Sequence, residues 1–232
     1  MKKLYEGKAK IIYATRDKDI VIQYFKDDAT AFNGKKKDTI KGKGIYNAAI
    51  SSKLFHMLEK KGIPTHFIKL LSPREMLVKK IQILPIEVVA RNVAAGSLAK
   101  RLGVNEGMVL KKPVLEYYYK DDSLGDPMIN EFHIDAMGWA NKKQLESLKG
   151  SALKINNILK KYFLKKKIEL VDFKLEFGLY KGKVILGDEI SPDTCRFWDL
   201  NTREKMDKDR FRRDLGGVVN AYQEVKRRIV GE

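Results

Sequence analysis

A segment in the second half of the chain alternates charged and apolar residues. Over 170–177 the sequence reads LVDFKLEF, so single apolar residues separate Asp172, Lys174 and Glu176. Alternate residues of a β-strand lie on the same face. The segment is therefore predicted to be a strand that packs on a core through its apolar face and presents the three charged side chains on the other. An amphipathic strand at the protein surface would show the same alternation.

The segment that follows weakens the surface interpretation, because it carries three more carboxylates. Residues 187–193 read GDEISPD, and they end a second strand-like run, 184–190, that follows a turn around Lys181–Gly182. A three-residue turn would place Glu176 opposite Asp188, whereas a two-residue turn would send them to opposite faces. Facing carboxylates repel unless a cation lies between them, and Mg²⁺ prefers such oxygen ligands. Metal binding by this pair is a hypothesis, and the sequence leaves the register open.

The charge of the chain indicates anionic partners. Its 232 residues include 47 Lys and Arg against 30 Asp and Glu, which gives a formal net charge of +17. Hydrophobic residues make up 44% of the chain, enough for a core, and this disfavours disorder. Nucleic-acid readers usually favour arginine, but here lysine predominates and is spread along the chain. Anionic metabolites are therefore favoured as ligands, and a nucleic-acid-binding protein remains an alternative supported by charge alone.

Several other classes of protein are disfavoured. The single cysteine, Cys195, excludes a disulfide framework and a zinc cluster of paired cysteines, and no Cys–His arrangement indicates a nucleophile. No apolar run approaches the roughly 20 residues of a membrane span, and the polar start of the chain is unlike a signal peptide. We therefore expect a cytoplasmic protein. His56, His66 and His133 show no metal-ligand spacing, and ordinary structural or surface roles are expected for them.

The first part of the chain is predicted to be rich in strands and to end at a hinge at Pro85. The predicted elements are strands at 11–13, 20–25, 67–71 and 76–83, a mobile basic loop at 34–44 and a helix at 45–61. A β-rich lobe over 1–84 is therefore expected to precede a larger lobe over 85–232.

The second part mixes helices and strands. The predicted elements are strands at 86–90, 168–177 and 184–190, and helices at 96–102, 151–163 and 208–229, the last weakened by Gly216–Gly217. The whole chain is thus predicted to be an α+β protein with a cleft between its lobes, where ligands commonly bind.

Two further segments are candidate anion sites. Residues 6–10 read EGKAK, and Lys8 and Lys10 would project from one face beside a polyphosphate, although two solvated lysines would look the same. Residues 91–97 read RNVAAGS at the junction of a strand and a helix, where free amides attract phosphate. Arg91 and Ser97 would complete that site, while helix capping is the competing explanation for the serine.

Taken together, six segments in order resemble the SAICAR synthetase family. They are EGKAK at 6–10, DDATAFNG at 27–34, ARNVAAGSLAKRLG at 90–103, VDFKLEFG at 171–178, LGDEISPDTCRFWD at 186–199 and KMDKDRFRRDLGG at 205–217. The resemblance covers nearly the whole chain, and its specificity comes from the six segments occurring in this order.

The resemblance implies an ATP-dependent carbon–nitrogen ligase of purine biosynthesis. Members join L-aspartate to the carboxylate of CAIR, an aminoimidazole ribonucleotide, and cleave ATP to ADP and phosphate. Their fold has a small β-rich nucleotide-binding lobe, similar to those of kinases and ATP-grasp enzymes, packed on a larger α+β lobe. The implied cofactor is Mg²⁺, with ATP as co-substrate. The implied partners are small molecules rather than nucleic acid or membrane, and a homodimer is expected.

The resemblance also implies roles for individual residues. ATP would be bound by Lys8 and Lys10 near its phosphates and by the backbone at Lys79 and Ile81 near adenine, and Mg²⁺ by Glu176 and Asp188. The substrate-binding residues would be Arg91, Ser97, Asp126, Arg196 and Arg212, and the catalytic ones Lys174, Asp172 and Asp193.

The chemistry explains why such residues are needed. A carboxylate is a poor electrophile, so phosphoryl transfer from ATP would convert that of CAIR into an acyl phosphate, with lysines and Mg²⁺ neutralising charge. The amine of aspartate must then lose a proton, and the sequence does not decide between Asp172 and Asp193 as acceptor. The loop at 34–44 is predicted to close over the ligands and exclude water. A small-molecule kinase on a similar scaffold is the first alternative to the ligase.

Overall fold

The computed structural model describes residues 1–31 and 34–231, which form a mixed α+β protein. The strands are β1 Lys3–Glu6, β2 Lys10–Ala14, β3 Ile20–Phe25, β4 Asp28–Ala31, β5 Lys36–Thr39, β6 Phe67–Ser72, β7 Glu75–Lys79, β8 Gln82–Val93, β9 Val109–Tyr119, β10 Met128–Ile129, β11 Ile168–Tyr180, β12 Lys183–Leu186 and β13 Cys195–Asp199. The helices are α1 Lys43–Lys60, α2 Gly96–Leu102, α3 Glu131–Ala136, α4 Lys142–Lys165, α5 Asp209–Arg212 and α6 Val218–Val230. Among the described residues, each helix is too short or too polar to serve as a membrane span.

The first sheet has the strand order β1-β2-β3-β7-β6, with every pair antiparallel. Helix α1 packs on it, because its residues Leu54, Phe55 and Leu58 are fully buried. Strand β3 alternates buried and half-buried residues, as expected for a strand with one face on a core. The prediction of strands at 11–13 and 20–25 and of a helix at 45–61 is confirmed, apart from small shifts at the ends.

The second sheet is built around β11, which pairs with β8 along one edge. On its other edge β11 pairs with β13 in its first half and with β12 in its second half. Strands β9 and β10 extend the sheet beyond β8. Helix α4 covers the apolar face through Ile155, Leu159 and Phe163, all fully buried. The charged face of β11 is left to face the first sheet.

The hairpin of β11 and β12 has the two-residue turn, with Tyr180 paired to Lys183 and Phe177 to Leu186. The predicted strand 184–190 is wrong beyond Leu186, where β12 ends. Asp188 therefore lies outside the pairing, with a left-handed φ of 56°. This turn of the backbone brings its side chain to the same cavity as Glu176. The expectation of opposite faces was wrong because it assumed that the strand continued.

The chain passes from the first sheet to the second at residues 80–81, between β7 and β8. The predicted strand 76–83 is therefore two strands that belong to different sheets. Pro85 lies inside β8, so the backbone does not break there. The division into lobes at 84 and 85 stays a prediction.

Two predicted segments have a different structure. The predicted mobile loop at 34–44 instead contains β5, which pairs with β4, and the first residues of α1. The predicted helix at 208–229 is two helices, because Gly216 and Gly217 adopt positive φ angles of 66° and 59°. Residues 32–33 of the motif at 27–34 lie outside the described residues.

Candidate active site

A cavity of about 920 Å³ lies between the two sheets. Residues from β2 and β3 line one side, residues from β8 and β11 line the other, and the connection at 79–81 closes one end. All fourteen residues proposed from the sequence line it: Lys8, Lys10, Lys79, Ile81, Arg91, Ser97, Asp126, Asp172, Lys174, Glu176, Asp188, Asp193, Arg196 and Arg212. The structure thus brings together side chains that are up to about two hundred residues apart in the sequence.

The alternation of β11 is confirmed. Asp172, Lys174 and Glu176 line the cavity, while Phe173 and Leu175 belong to the main hydrophobic core. The neighbouring β8 brings Glu87 opposite Glu176 and Arg91 opposite Asp172. The cavity floor is therefore a pair of strands whose reverse face is the core.

Lysines and carboxylates interleave at one end of the cavity. Lys10 contacts Asp188 and lies 2.8 Å from Glu189. Lys174 lies 2.5 Å from Glu87 and 2.7 Å from Glu176. This cluster is the lysine end of the cavity, and it also includes Lys120, 2.9 Å from Glu176. The lysines could bind phosphate groups, and the carboxylates reduce the repulsion between the lysines when no ligand is bound.

The two proposed metal ligands have opposite pKa shifts. Burial alone raises the pKa of Glu176, but the charges of Lys174, Lys120 and Lys10 bring it well below its usual range. Burial raises the pKa of Asp188, and the nearby Glu176 adds to this against the opposing charge of Lys10. Two buried carboxylates that repel each other in this way would be stabilised by a cation.

This donor set fits Mg²⁺. The described residues contain no group of three or more His, Cys, Asp or Glu side chains suited to a metal. Mg²⁺ in nucleotide sites typically needs only one or two carboxylates, because phosphate oxygens and waters fill its other positions. Glu176 and Asp188 are hard oxygen donors beside lysines that would face the same phosphates.

Arginines dominate the other end of the cavity. Arg91 lies 2.7 Å from Asp172 and 2.6 Å from Glu116, and Arg196 lies 2.9 Å from Asp172. Arg91 also donates to Oγ of Ser97 at 3.0 Å. Residue 95, not Ser97, is the N-cap of α2, and no side chain caps that helix. The capping explanation for the serine is therefore wrong, and its hydroxyl belongs to the arginine end of the cavity.

Gly96 allows Arg196 to take this position. With a φ of 54°, its backbone is left-handed, and a Cβ there would lie 2.8 Å from Cζ of Arg196. Only glycine admits both the conformation and the close approach.

The two candidate proton acceptors are both engaged. Arg91 and Arg196 donate to the two oxygens of Asp172. Lys43 and the hydroxyl of Tyr222 each lie 2.6 Å from an oxygen of Asp193. Burial would raise the pKa of Asp193, but the charge of Lys43 holds it well below its usual range. Both carboxylates are thus held in place by cations.

The remaining predicted residues occupy the rim and the closed end. Lys8 lies 2.6 Å from Asp122, and Asp126 accepts a hydrogen bond from the backbone N–H of Asp121 at 3.0 Å. Lys79 donates to the carbonyl of Thr65 at 2.8 Å. Ile81 packs against Gly178, where a Cβ would lie 2.9 Å from its side chain.

Several residues of the cavity were not among the fourteen proposed from the sequence. Glu87, Lys120, Glu189, His66 and Lys208 all line it. His66 was expected to have an ordinary role, yet its Nε2 is buried without a hydrogen-bond partner. Of these residues, only Lys208 and Glu189 lie in segments singled out beforehand, because the others reach the cavity through strand pairing and folding back of the chain.

Comparison with known proteins gives one consistent result. The family model for SAICAR synthetase matches residues 3–229. The phosphoribosylaminoimidazole-succinocarboxamide synthase of Desulfitobacterium hafniense (strain Y51) is 63% identical over 226 residues, covering 97% of this chain and 95% of that protein.

Solved structures agree with this result. The crystal structure of the enzyme of that name from Ehrlichia chaffeensis is similar with a TM-score of 0.98 and 53% identity, covering 100% of this chain and 99% of that one. A SAICAR synthetase in complex with ADP has a TM-score of 0.96 and 52% identity, covering 98% and 97% of the two chains.

Proposed function

The chain belongs to the SAICAR synthetase family, and from this membership we propose that the cavity between its two sheets is the active site. The activity of the protein is the SAICAR synthetase reaction of purine biosynthesis. The observation that carries the assignment is that all fourteen residues matched to the family line one cavity. The kinase-like character of the first lobe, 1–84, and the homodimeric, cytoplasmic state of the protein belong to the same proposal.

ATP binds across the first sheet, with its phosphates at the lysine end of the cavity. The ADP complex of the 52%-identical synthetase supports a nucleotide site in this fold. Lys8 and Lys10 approach the phosphates, and the backbone at Lys79 and Ile81 approaches the base. When bound, Mg²⁺ neutralises phosphate charge, and Glu176 and Asp188 are the residues that would hold it.

CAIR binds with its phosphate at the arginine end. Arg91 and Arg196 are fixed by Asp172. The N–H groups that they have left, mainly on Nη2 of Arg196, suit a phosphate together with the Ser97 hydroxyl, since charge-assisted hydrogen bonds from guanidinium groups to phosphate oxygens are strong. Asp172 thereby acts as a positioning residue for both arginines.

The reaction then requires two chemical steps, a phosphoryl transfer and a displacement of phosphate by an amine. An oxygen of the CAIR carboxylate attacks the γ-phosphorus of ATP, and the bond to the β-phosphate oxygen breaks to release ADP. Lys10 and Lys174 stabilise the charge that spreads over the transferring phosphoryl group. The amine of L-aspartate next attacks the acyl carbon, phosphate leaves, and the nitrogen loses a proton as the amide forms. Asp172 and Asp193 stay the predicted acceptors for that proton.

The experiment is an omission series on the purified protein. ADP release and SAICAR formation are measured with ATP, Mg²⁺, CAIR and L-aspartate, leaving out one component at a time. We expect SAICAR only with all four. A phosphorylated product formed without aspartate that accumulates in place of the amide would support the kinase alternative instead. Glu176→Gln is expected to abolish the Mg²⁺-dependent reaction, and normal activity in that variant would remove the metal assignment.

A further inference from the structure

Lys208 is a half-buried cation of the cavity that has no ion-pair partner among the described residues. Its side chain is half-buried and lines the cavity, yet no carboxylate oxygen of the described residues lies within 4.0 Å of its ammonium. Lys10, Lys174, Arg91 and Arg196, by contrast, each have ion-pair partners. A sheltered charge without a partner is costly unless a ligand supplies one.

The surroundings of Lys208 leave positive charge in excess. Asp193, the carboxylate with the largest effect on the pKa of Lys208, is already bound by Lys43 and Tyr222. Burial lowers the pKa of Lys208, Asp193 opposes this, and the charges of Arg212 and Lys43 lower it further. The corner formed by Lys208, Arg212 and Asp193 is called the cationic corner below, and it is electrostatically suited to an anion.

The backbone holds the two cations side by side. The N–H of Arg212 donates to the carbonyl of Lys208 at 3.0 Å, so the two residues are one helical turn apart and share a face. Arg212 lies 2.5 Å from Asp209, which fixes its guanidinium while leaving donors unused. Two adjacent cationic side chains can bind two carboxylate groups of one small molecule.

The cationic corner adjoins the reacting centre. The N–H of Lys174 donates to the carbonyl of Thr194 at 2.8 Å, which ties the segment after Asp193 to β11. The N–H of Lys208 donates to the carbonyl of Pro192 at 3.1 Å. Arg212 and Arg196 both bind Asp209, so a molecule held at the corner lies beside the arginine end, in the same cavity as the lysine end.

We propose that Lys208 and Arg212 bind the carboxylates of the amino-acid substrate, L-aspartate. The inference rests on the proposed function, in which ATP and CAIR occupy the other two ends and a dicarboxylate is the remaining substrate. Each oxygen of Asp193 accepts one hydrogen bond and retains capacity for another. Asp193 therefore faces the amino group of the substrate while the two cations hold its carboxylates.

The test compares Lys208→Met with Lys208→Arg and with a control, Lys165→Met, at an exposed position of α4 outside the cavity. SAICAR formation is measured while each substrate is varied in turn. Lys208→Met is expected to raise the KM for L-aspartate about tenfold or more, since a charge-assisted contact is lost. The KM values for ATP and CAIR should change less than about twofold, and Lys208→Arg should recover part of the loss.

Succinate provides an independent readout, because it has both carboxylates and no amine. Its inhibition constant against L-aspartate is expected to rise in Lys208→Met by about the same factor as the KM. Equal increases in all three KM values, or an increase for CAIR alone, would overturn the proposal. So would weaker inhibition by inorganic phosphate with an unchanged KM for aspartate, which would make the corner a phosphate site. Absence of SAICAR from the wild-type protein would instead refute the proposed function.

Discussion

At the scale of single residues, Gly96 determines whether Arg196 can take its place in the arginine end. Gly96→Ala would add a Cβ against the guanidinium and strain a backbone with a φ of 54°. We expect the KM for CAIR to rise about tenfold or more, with a much smaller effect on the KM for ATP, because the displaced group is an anion-binding arginine. Steady-state kinetics with each substrate varied measures both effects.

Gly138→Ala is the matched control for this prediction. Gly138 has a similar φ of 65°, but a Cβ there would meet no atom within 4 Å. It therefore reports the cost of backbone strain without displacement of a neighbour. Equal CAIR kinetics in Gly96→Ala and wild type would show that Arg196 does not bind the substrate from this position.

His66 makes stability depend on pH. Burial, with the charges of Lys10 and Lys79, lowers its pKa from an ordinary 6.5 to about 3. Between these values the unfolded chain binds a proton that the folded chain does not, so stability is full above pH 6.5 and falls as pH decreases toward 3. His66→Gln removes this contribution, which amounts to at most about 1.4 kcal/mol per pH unit.

Urea unfolding at a series of pH values between 7 and 4 measures the contribution of His66 to the free energy of unfolding. The free energy of unfolding should fall less steeply with decreasing pH in His66→Gln than in wild type, whereas His56→Gln, at an exposed position, should follow wild type. Parallel curves for all three proteins would mean that His66 titrates normally in the folded state.

At the scale of elements, β4 and β5 contribute Thr30 and Ala31 to the cavity wall but form a two-stranded sheet of their own, which pairs with no other strand of the described residues. Its contacts run mainly to the C-terminal segment, where Ala29, Ala31 and Ile40 pack with Phe211, and Lys36 donates to the Phe211 carbonyl at 2.7 Å. A hairpin of two short strands is marginal on its own. We therefore keep the prediction that this segment closes over bound ligands.

Limited trypsin digestion tests this closure. Cleavage at the lysines of 35–37 should slow when ATP, Mg²⁺, CAIR and an unreactive aspartate analogue such as succinate are all present, because closure protects the segment. Cleavage in the exposed helix end at 165–167 serves as the internal control. The same rate at 35–37 with and without the ligands would contradict closure.

The elements also show what the sequence could and could not reveal. Strand β3 and helix α2 occupy the predicted residues, because their apolar patterns end at clear polar or glycine boundaries. Strand β9 was missed, since most of its first half is exposed and it contains Pro113, so no alternation marks it. The strand pattern left the position of Asp188 open, and its side chain reaches the cavity through a left-handed turn after β12 instead of through strand pairing.

The site was predictable where one element supplies several of its groups. Asp172, Lys174 and Glu176 follow from the alternation of a single strand. Lys43 and Tyr222, which fix Asp193, come from α1 and α6 at opposite ends of the chain. Such partners depend on how the helices pack, which no local pattern records.

At the scale of the whole molecule, the net charge of +17 should matter for substrate capture. ATP, CAIR and L-aspartate are all anions, and a positive field raises their local concentration near the cavity. Raising the ionic strength shortens the Debye length to about 8 Å at 0.15 M. We expect the KM values for all three substrates to rise between about 0.02 and 0.3 M salt, with kcat changing less.

Potassium chloride and potassium acetate should give the same result at equal ionic strength, which separates screening from specific anion binding. KM values that stay constant over this range would show that capture depends on the paired groups inside the cavity and not on the surface lysines.

Strand β11 has one further consequence. Its charged face forms the cavity floor and its reverse face is the centre of the core, where Phe173 and Phe177 are fully buried. Close-packed interiors transmit displacement instead of absorbing it. The positions of Asp172, Lys174 and Glu176 therefore depend on the volumes of core side chains that do not contact a substrate. Redesign of this enzyme for another acid would have to treat the hydrophobic interior as part of its specificity.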